Sequence, residues 1–322
     1  MDDLLEGLDA RQREAVTVDA QPLAIVAPAG SGKTRVLTRR IAWRTRRDDA
    51  DPRHVVAVTF TRKAAGELVE RLAALSVSGV TAGTFHALAL AQLRRRAHEQ
   101  GRATPTILAS KARLLAPILG ARGRGGTALV GDVSAEIEWA KARGHGPDAY
   151  VRAAIEAGRR PPLPDLDVAA AYARYEEEKR RRRCCDFDDL LASCAAAIEQ
   201  DATFAAAQRW RFRHLFVDEF QDATPLQIRL LRAWLGDRSD LCVVGDPAQA
   251  IYTFAGADAG PLTEFARHFP GGALVRLDRN YRSSPQIVAV AEGALGPDSG
   301  VAPRTVESVR PDADAPTIRA YP

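Results

Sequence analysis

The chain has 322 residues, a net charge of +4 and 46% hydrophobic residues, values typical of a globular protein large enough for two domains. No apolar run approaches the roughly 18 residues that a membrane span requires, and the acidic N-terminus lacks the basic and apolar segments of a secretory signal. The four cysteines include no C-x-x-C pair, which argues against a zinc site and a disulfide framework. We therefore expect a cytoplasmic protein without a membrane partner.

The first predicted strand, residues 23–27, leads into the loop "APAGSGKT" at 27–34. The loop matches the second half of the phosphate-binding pattern G-x-x-x-x-G-K-[ST], with Ala27 in place of the first glycine. Small residues let backbone amides surround an anion, and the following helix directs its positive end at the same charge. We expect Lys33 to contact the outer phosphates of ATP and Thr34 to contact a bridging Mg²⁺ ion. The predicted nucleotide-binding residues of the loop are Ala27, Pro28, Ala29, Gly30, Ser31, Gly32, Lys33 and Thr34.

Five short β-branched runs alternate with helical segments along the chain. They lie at residues 23–27, 55–60, 215–219, 241–246 and 273–277. This alternation predicts an α/β fold in which helices cover both faces of a parallel sheet. Because ligands bind at the carboxyl ends of parallel strands, the residues that follow these runs are expected to converge on one site.

Between the second and third runs, residues 88–186 are rich in alanine, arginine, leucine and glutamate at helical spacing. This segment contains 19 lysines and arginines against 12 acidic residues, whereas the rest of the chain has an excess of acids. We predict a basic helical insertion that interrupts the sheet. The basic runs at 94–96 and 179–183 are weak evidence for a polyanionic partner, since such runs are more often solvated helix faces.

The third run continues into "LFVDEFQD" at residues 215–222, which places two adjacent carboxylates at the end of a strand. Asp218 is expected to hold Mg²⁺, and Glu219 to orient and deprotonate an attacking water. An exposed acidic turn would explain the octapeptide alone, but the upstream phosphate loop favours the catalytic interpretation. Together the two segments predict hydrolysis of a nucleoside triphosphate.

Eight segments of the chain occur in the order found in superfamily 1 DNA helicases of the UvrD, PcrA and Rep group. They are "LDARQREAV" (8–16), "APAGSGKT" (27–34), "AVTFTRKAAGEL" (57–68), "TAGTFHALAL" (81–90), "DFDDLL" (186–191), "VDEFQDATPLQ" (217–227), "VVGDPAQAIYTFAGAD" (243–258) and "LDRNYRSSPQIV" (277–288). The chain thus resembles the N-terminal half of such a helicase from residue 8 to about 290. In that family the phosphate loop commonly begins with alanine, as it does here.

The resemblance implies a RecA-like P-loop NTPase sheet with an inserted, mostly helical subdomain. The implied domains are a discontinuous core at 1–87 and 187–276, the basic insertion at 88–186, and the beginning of a second RecA-like domain at 277–322. The implied function is an ATP-dependent DNA helicase or translocase that moves 3′ to 5′ on single-stranded DNA or at a single-strand/double-strand junction.

The resemblance also implies roles for five further residues around the nucleotide. Gln12 resembles the glutamine that reads the adenine edge, for which an amide supplies both a donor and an acceptor. Tyr281 is expected to stack on the base, and Arg35 to help hold the nucleotide. Gln249 matches the residue that senses the γ-phosphate, and Arg282 the arginine that neutralises charge on the transferred group.

Single-stranded DNA requires aromatic platforms and donors to its backbone. The resemblance assigns DNA contacts to Thr59, Phe60, Thr61, Thr84, Phe85, His86, Tyr252 and Phe254. For Phe60 and Phe85 a core position is an equally good interpretation. The family usually has tryptophan at the position of Phe254 and arginines at those of Thr253 and Ala255, so we expect stacking to persist with less backbone charge.

Nothing after Arg282 resembles the two further motifs of the family's second domain. We therefore expect either a truncated chain or one part of a longer motor, which a C-terminal helicase domain or a partner chain would complete. Such a chain would hydrolyse ATP poorly, because an arginine finger contributes about 10³–10⁵ in turnover. Two alternatives are a nucleotide-gated DNA-binding module without unwinding activity, and an unrelated P-loop NTPase or kinase.

Overall fold

A six-stranded parallel sheet forms the centre of the computed structural model, which describes residues 2–104, 106–120, 123–295 and 306–317. The strands of the described residues are β1 (Leu23–Val26), β2 (Val55–Thr59), β3 (Thr81–Thr84), β4 (Thr106–Ile107), β5 (Cys184–Cys185), β6 (His214–Val217), β7 (Leu241–Gly245), β8 (Ala273–Arg276), β9 (Arg279–Asn280) and β10 (Glu307–Ser308). The central sheet has the order β3-β2-β6-β7-β1-β8, and β4 with β5 and β9 with β10 form two small parallel pairs.

Helices cover both faces of this sheet. The α-helices of the described residues are α1 (Asp2–Leu5), α2 (Ala10–Thr17), α3 (Lys33–Arg46), α4 (Arg62–Ala74), α5 (Phe85–Glu99), α6 (Ala112–Ile118), α7 (Gly123–Ala142), α8 (Pro147–Glu156), α9 (Asp165–Arg182), α10 (Phe187–Gln200), α11 (Ala202–Arg211), α12 (Pro225–Leu235), α13 (Gly260–Thr263), α14 (Phe265–His268) and α15 (Pro285–Leu295). Within the described ranges no helix is both long and apolar enough to cross a bilayer.

The predicted α/β fold is confirmed, and all five predicted runs are strands of the central sheet. The sixth strand, β3, was not predicted. Its sequence "TAGT" contains a glycine and lacks the bulky apolar residues that mark a buried strand, and it lies at the edge of the sheet, where such residues are not required.

Alternate residues of each strand enter two separate hydrophobic cores, as the period of a β-strand requires. On one face Val56, Leu215 and Val243 pack with α5, α10, α11 and α12. On the other face Ile25 and Phe216 pack with α2, α3 and α4. The inner strands β1, β2, β6 and β7 are therefore buried on both sides, which explains why they are continuous apolar runs.

A third core lies outside the sheet, among α6, α7, α8 and α9. It is built around the fully buried Leu115, Ile137, Tyr150 and Tyr175. Helix α5, where the predicted insertion of residues 88–186 begins, instead packs against α10 and contributes Leu88 to the core of the sheet. The helices that share a core of their own are thus α6 to α9.

A buried ion cluster joins these helices to α10. Asp186, the N-cap of α10, is 1% exposed and lies 2.7 Å from Lys141 Nζ of α7 and 3.1 Å from Lys179 Nζ of α9. Asp189 contacts both ammonium groups, and the Tyr175 hydroxyl donates to Asp186 at 2.9 Å. Burial opposes ionisation of Asp186, but the two lysines outweigh it and hold the pKa of this carboxyl below its usual range.

Replacing Asp186 with alanine is expected to lower the free energy of unfolding by about 3–5 kcal/mol, because Lys141 and Lys179 would remain buried with an incomplete set of counter-charges. Loss of the cap of α10 adds to this effect. Urea denaturation measures it, with Asp167→Ala in the exposed first turn of α9 as the control, expected to change stability by about 0.5 kcal/mol or less. A change below about 1 kcal/mol for Asp186→Ala would contradict the assigned role of the cluster.

Candidate active site

The loop between β1 and α3 has the backbone geometry of a phosphate-binding loop. Gly30 and Gly32 have φ angles of +75° and +87°, in the left-handed region that favours glycine. Ala27 is buried and donates its N–H to the carbonyl of Gly245 at 2.9 Å, which ties the start of the loop to β7. Helix α3 begins at Lys33, so its free backbone amides point into the loop.

Two acidic residues follow β6 and face this loop. Asp218 is 5% exposed, and its Oδ2 lies 3.4 Å from the hydroxyl of Thr34. Lys33 Nζ lies 3.6 Å from Glu219 Oε2. Glu219 has a φ of +51°, a conformation that costs a non-glycine residue about 1–3 kcal/mol and is held by surrounding contacts. With this backbone conformation, the second carboxylate lies beside the Lys33 ammonium group.

The side chains of Asp218 and Thr34 have the chemistry of a magnesium site. Burial, and secondarily the neighbouring charge of Glu219, raise the pKa of Asp218 to about 6. A divalent cation beside Asp218 and Thr34 would stabilise the ionised carboxylate, and a hydroxyl with a carboxylate is the hard oxygen set that Mg²⁺ prefers.

A chain of amide contacts links the ends of β6 and β7. Gln221 is 2% exposed; its Nε2 donates to Glu219 at 3.0 Å, and its Oε1 accepts from the backbone N–H of Asp246 at 2.9 Å. Gln249 Nε2 donates to Asp246 Oδ2 at 2.6 Å. Gln221 was not among the predicted site residues, although it lies within the acidic segment that was singled out.

Residues after β8 are docked onto the phosphate loop by Asn280. Its Nδ2 donates to the Ala29 carbonyl at 2.9 Å, and its Oδ1 accepts from the backbone N–H groups of Arg282 and Ser283 at 2.8 Å each. A Cβ atom on Gly30 would lie 2.7 Å from Asn280 Oδ1, so glycine is required there for close approach as well as for its φ angle. Asn280 was also not predicted as a site residue.

The two predicted adenine contacts meet beside the loop. Gln12 is 1% exposed, donates to the Ser31 carbonyl at 2.8 Å and accepts from the N–H of Asp9 at 3.2 Å. The hydroxyl of Tyr281, which is 36% exposed, donates to the Asp9 carboxylate. Both side chains are therefore held through Asp9, and the polar groups of Gln12 have partners within the chain.

An open cleft of about 330 Å³ unites these segments at the carboxyl edge of the sheet. Its lining comprises Ala29, Gly30, Gly32, Lys33, Thr34, Arg35, Arg71, Glu219, Gln249, Tyr281 and Arg282. Every one of them except Arg71 of α4 is a predicted nucleotide-site residue. No sequence signal distinguished Arg71 from the other exposed cations of its helix.

The predicted DNA-contact threonines mainly serve the fold. The hydroxyls of Thr61 and Thr84 accept backbone N–H groups at the starts of α4 and α5, at 3.0 and 3.2 Å. Thr59 is 2% exposed, and its hydroxyl donates to the carbonyl of Thr61 at 3.0 Å. In this structure the hydroxyl of Thr59 is thus buried and bonded within the chain, and its contact with DNA stays a prediction.

The predicted aromatic contacts differ in burial: Phe85 is buried, Phe60 is partly buried, and Tyr252 and Phe254 are exposed. Phe85 is 1% exposed, with its ring parallel to that of Trp234 at 5.9 Å and edge-on to Phe60 at 6.1 Å. Phe85 therefore occupies the core position that the sequence left open as the alternative to a DNA contact. Tyr252 and Phe254, in contrast, are 49% and 67% exposed, with ring centroids 6.2 Å apart.

His86 lies between these extremes. It is partly buried, and its ring meets that of Phe187 edge-on at 6.0 Å. Burial lowers its pKa, which favours the neutral imidazole near pH 7. A neutral ring can donate or accept a hydrogen bond, in keeping with the predicted polar contact.

Comparison with known proteins agrees with this geometry. Residues 8–270 match the model of the UvrD/REP helicase N-terminal domain. The ATP-dependent DNA helicase UvrD2 of Mycobacterium tuberculosis is 46% identical over 315 residues, which cover 93% of this chain and 45% of the relative. UvrD1 of the same organism is 34% identical over 326 residues, covering 93% of the chain and 40% of the relative. DNA helicase II of Escherichia coli is 33% identical over 313 residues, covering 92% and 41%.

The chain thus spans less than half the length of these curated relatives. The family match takes in the phosphate loop, the acidic pair after β6 and the Gln249 turn. Residues of all three segments line one cleft, and Asp218 lies 3.4 Å from the Thr34 hydroxyl of that cleft. On that combined evidence, this chain belongs to the UvrD/Rep helicase N-terminal domain family.

Proposed function

We propose that this chain forms the ATP-binding and ATP-hydrolysing part of a DNA helicase, which couples hydrolysis to movement along single-stranded DNA. One observation carries the proposal: Lys33, Thr34, Glu219, Gln249 and Arg282 come from four separate segments and line a single cleft. A cation, a hydroxyl, a carboxylate, an amide and a guanidinium around a phosphate loop are the groups that phosphoryl transfer to water requires.

The contacts suggest how the residues act in hydrolysis. Mg²⁺, held by Thr34 and Asp218, would neutralise charge on the phosphates. Lys33 pairs with Glu219 at 3.6 Å, and phosphate oxygens would compete for the same ammonium group. Binding of ATP would therefore leave the Glu219 carboxylate available to accept a proton from water.

Arg282 and Gln249 complete the site in this proposal. Arg282 is held by the Asn280 contacts to the phosphate loop, so its guanidinium is placed to offset charge that develops on the transferred group. Gln12 and Tyr281 would hold the adenine, for which the Gln12 amide must exchange one of its present partners. Arg35 and Arg71 add positive charge at the mouth of the cleft.

Coupling to DNA would run through one short segment. Gln249 is hydrogen-bonded to Asp246, and three residues later the chain presents the exposed ring of Tyr252, followed by that of Phe254. A change at the γ-phosphate that moves Gln249 would displace these rings directly. Exposed aromatic rings are the stacking platforms that single-stranded DNA requires. From the family resemblance we infer movement in the 3′ to 5′ direction.

The proposal is tested by measuring ATP hydrolysis with and without oligothymidylate. We expect DNA to stimulate hydrolysis, and Tyr252→Ala/Phe254→Ala to raise the DNA concentration for half-maximal stimulation at least tenfold, since stacking contributes about 1–3 kcal/mol per base. Leu166→Ala, which removes a 73% exposed side chain from α9, is the control and is expected to change nothing.

The alternatives predict other outcomes. A nucleotide-gated DNA-binding module would bind oligothymidylate in an ATP-dependent way without stimulated hydrolysis. An unrelated P-loop kinase would bind no oligonucleotide at low salt and would phosphorylate a small acceptor. Either result would contradict the proposed motor function.

A further inference from the structure

A second, larger groove lies on the side of the central sheet opposite the nucleotide cleft, near the amino ends of the strands. Its volume is about 780 Å³, within the range of about 300–1,000 Å³ found for ligand sites. Arg53 and His54 precede β2, while Arg95 lies towards the C-terminal end of α5, and Trp210 and Arg211 end α11 shortly before β6. These positions place the groove at the amino ends of the strands. The strands have four or five residues, with a rise of about 3.3 Å per residue, and the length of the strands separates the groove from the cleft.

The groove contains positive charge that the fold leaves uncommitted. Arg95 and Arg211 make no hydrogen bond or ion pair with any residue that the structure describes. Two further arginines of the lining are paired, Arg53 with Asp51 at 2.7 Å and Arg96 with Asp201 at 3.1 Å. One acidic side chain of the lining, Glu99, is also unpaired among the described residues. The uncommitted groups are therefore two guanidinium groups against one carboxylate, a net positive charge that favours an anionic ligand.

An exposed aromatic platform stands beside these cations. Trp210 is 64% exposed, and the His54 imidazole meets its ring edge-on with centroids 4.3 Å apart. Buried polar atoms nearby also lack partners within the described residues: Nδ1 of His54 and Nε of Arg96. A large exposed indole next to free guanidinium groups is the combination that binds a base and its phosphate.

We propose that this groove is a second binding site for single-stranded nucleic acid, with phosphates at Arg95 and Arg211 and a base stacked on Trp210. An acidic peptide would satisfy the arginines but gives no reason for the exposed indole. The proposal rests on the proposed function only in taking DNA as the ligand. The site is separate from Tyr252 and Phe254, which follow the carboxyl end of β7. The chain would therefore contact DNA near both the amino ends and the carboxyl ends of its strands.

The test uses Tyr252→Ala/Phe254→Ala as the background, so that the remaining DNA affinity reports on the groove. Trp139 and Trp234 are buried and Trp43 is partly buried, which leaves Trp210 as the most exposed tryptophan. Titration with an oligothymidylate of eight nucleotides at low salt is expected to quench tryptophan fluorescence. Trp210→Phe should abolish the quenching while binding, followed by anisotropy of a labelled oligonucleotide, persists.

The arginines are tested in the same background. Arg95→Ala/Arg211→Ala is expected to raise Kd about tenfold. The slope of log K against log salt concentration should become shallower by about 1.4, since each phosphate contact on a single strand contributes about 0.7. Arg94→Ala/Arg213→Ala is the matched control, because these exposed arginines lie next to the groove residues in sequence but do not line the groove. The control should leave Kd and slope unchanged.

Three results would overturn the proposal: quenching that persists in Trp210→Phe, equal weakening by the two arginine pairs, or quenching by oligoglutamate as strong as by oligothymidylate. The last result would identify the groove as a site for acidic proteins. None of them bears on the ATP cleft, whose lining shares no residue with the groove.

Discussion

Replacing Glu219 with glutamine is expected to reduce kcat for ATP hydrolysis by about 10²–10⁴ while ATP still binds. The amide keeps the size of the side chain and an oxygen that can accept from Gln221, so the geometry after β6 should persist. It cannot accept a proton from water, and general-base catalysis contributes about this factor. Binding is also spared because Glu219 competes with phosphate for Lys33.

Single-turnover hydrolysis and titration with a fluorescent ATP analogue separate the two effects of this substitution. Asp222→Asn is the control: burial raises the pKa of this nearby carboxyl to about 6 as well, but Asp222 does not line the cleft. Because the Asp222 side chain lies outside the cleft, this substitution is expected to leave kcat nearly unchanged. Hydrolysis by Glu219→Gln within tenfold of the unmodified chain would show that another group activates the water.

Replacing Lys33 with alanine is expected to weaken ATP binding by about two orders of magnitude, and hydrolysis is lost with it. Lys33 is the first residue of α3, and its side chain is 10% exposed. Its charge would therefore act on the phosphates where little water screens it. Removing one member of a buried, hydrogen-bonded charge pair costs about 2–5 kcal/mol. Equilibrium titration with the fluorescent analogue measures the loss.

Lys63→Ala, which removes an 88% exposed lysine from α4, is the control for net charge and should bind ATP normally. The two substitutions are most informative together. If Lys33→Ala and Glu219→Gln reduced binding and hydrolysis to the same extent, the division between a phosphate-binding and a proton-accepting residue would be incorrect.

Much of the cleft could be predicted from sequence because its main parts are local. The phosphate loop needs a left-handed backbone at Gly30 and Gly32 and a cation at the start of a helix. Because these requirements fall within a few residues, they are visible in the sequence as glycines and a lysine at fixed spacing. The acidic pair is similarly local, since an apolar strand that ends in two carboxylates marks the edge of a parallel sheet.

The missed residues act across long sequence separations. Asn280 bonds to the carbonyl of Ala29, 251 residues earlier, and no local pattern reveals such a contact. Gln221 connects two strands that are neighbours only in the folded sheet. Arg71 faces the cleft because α4 packs beside α3, which its sequence does not specify.

For Phe85 the sequence left two interpretations open, a DNA contact and a core position, and the structure places the residue in the core. An aromatic residue after a strand looks the same in sequence whether it faces solvent or the core. Here Trp234 of α12 stacks on the ring, so its environment is set by a helix about 150 residues away. Tyr252 and Phe254, in contrast, are exposed.

All of the assigned roles require a single shared nucleotide site at the carboxyl ends of β1, β6 and β7. A crystal structure of the chain with a non-hydrolysable ATP analogue and Mg²⁺ tests it most directly. We predict a triphosphate wrapped by the backbone of residues 28–33, with Lys33 on its outer phosphates and one metal ion shared by Thr34 and Asp218. A nucleotide bound elsewhere, or Asp218 turned away from the metal while Lys33 holds phosphate, would contradict it.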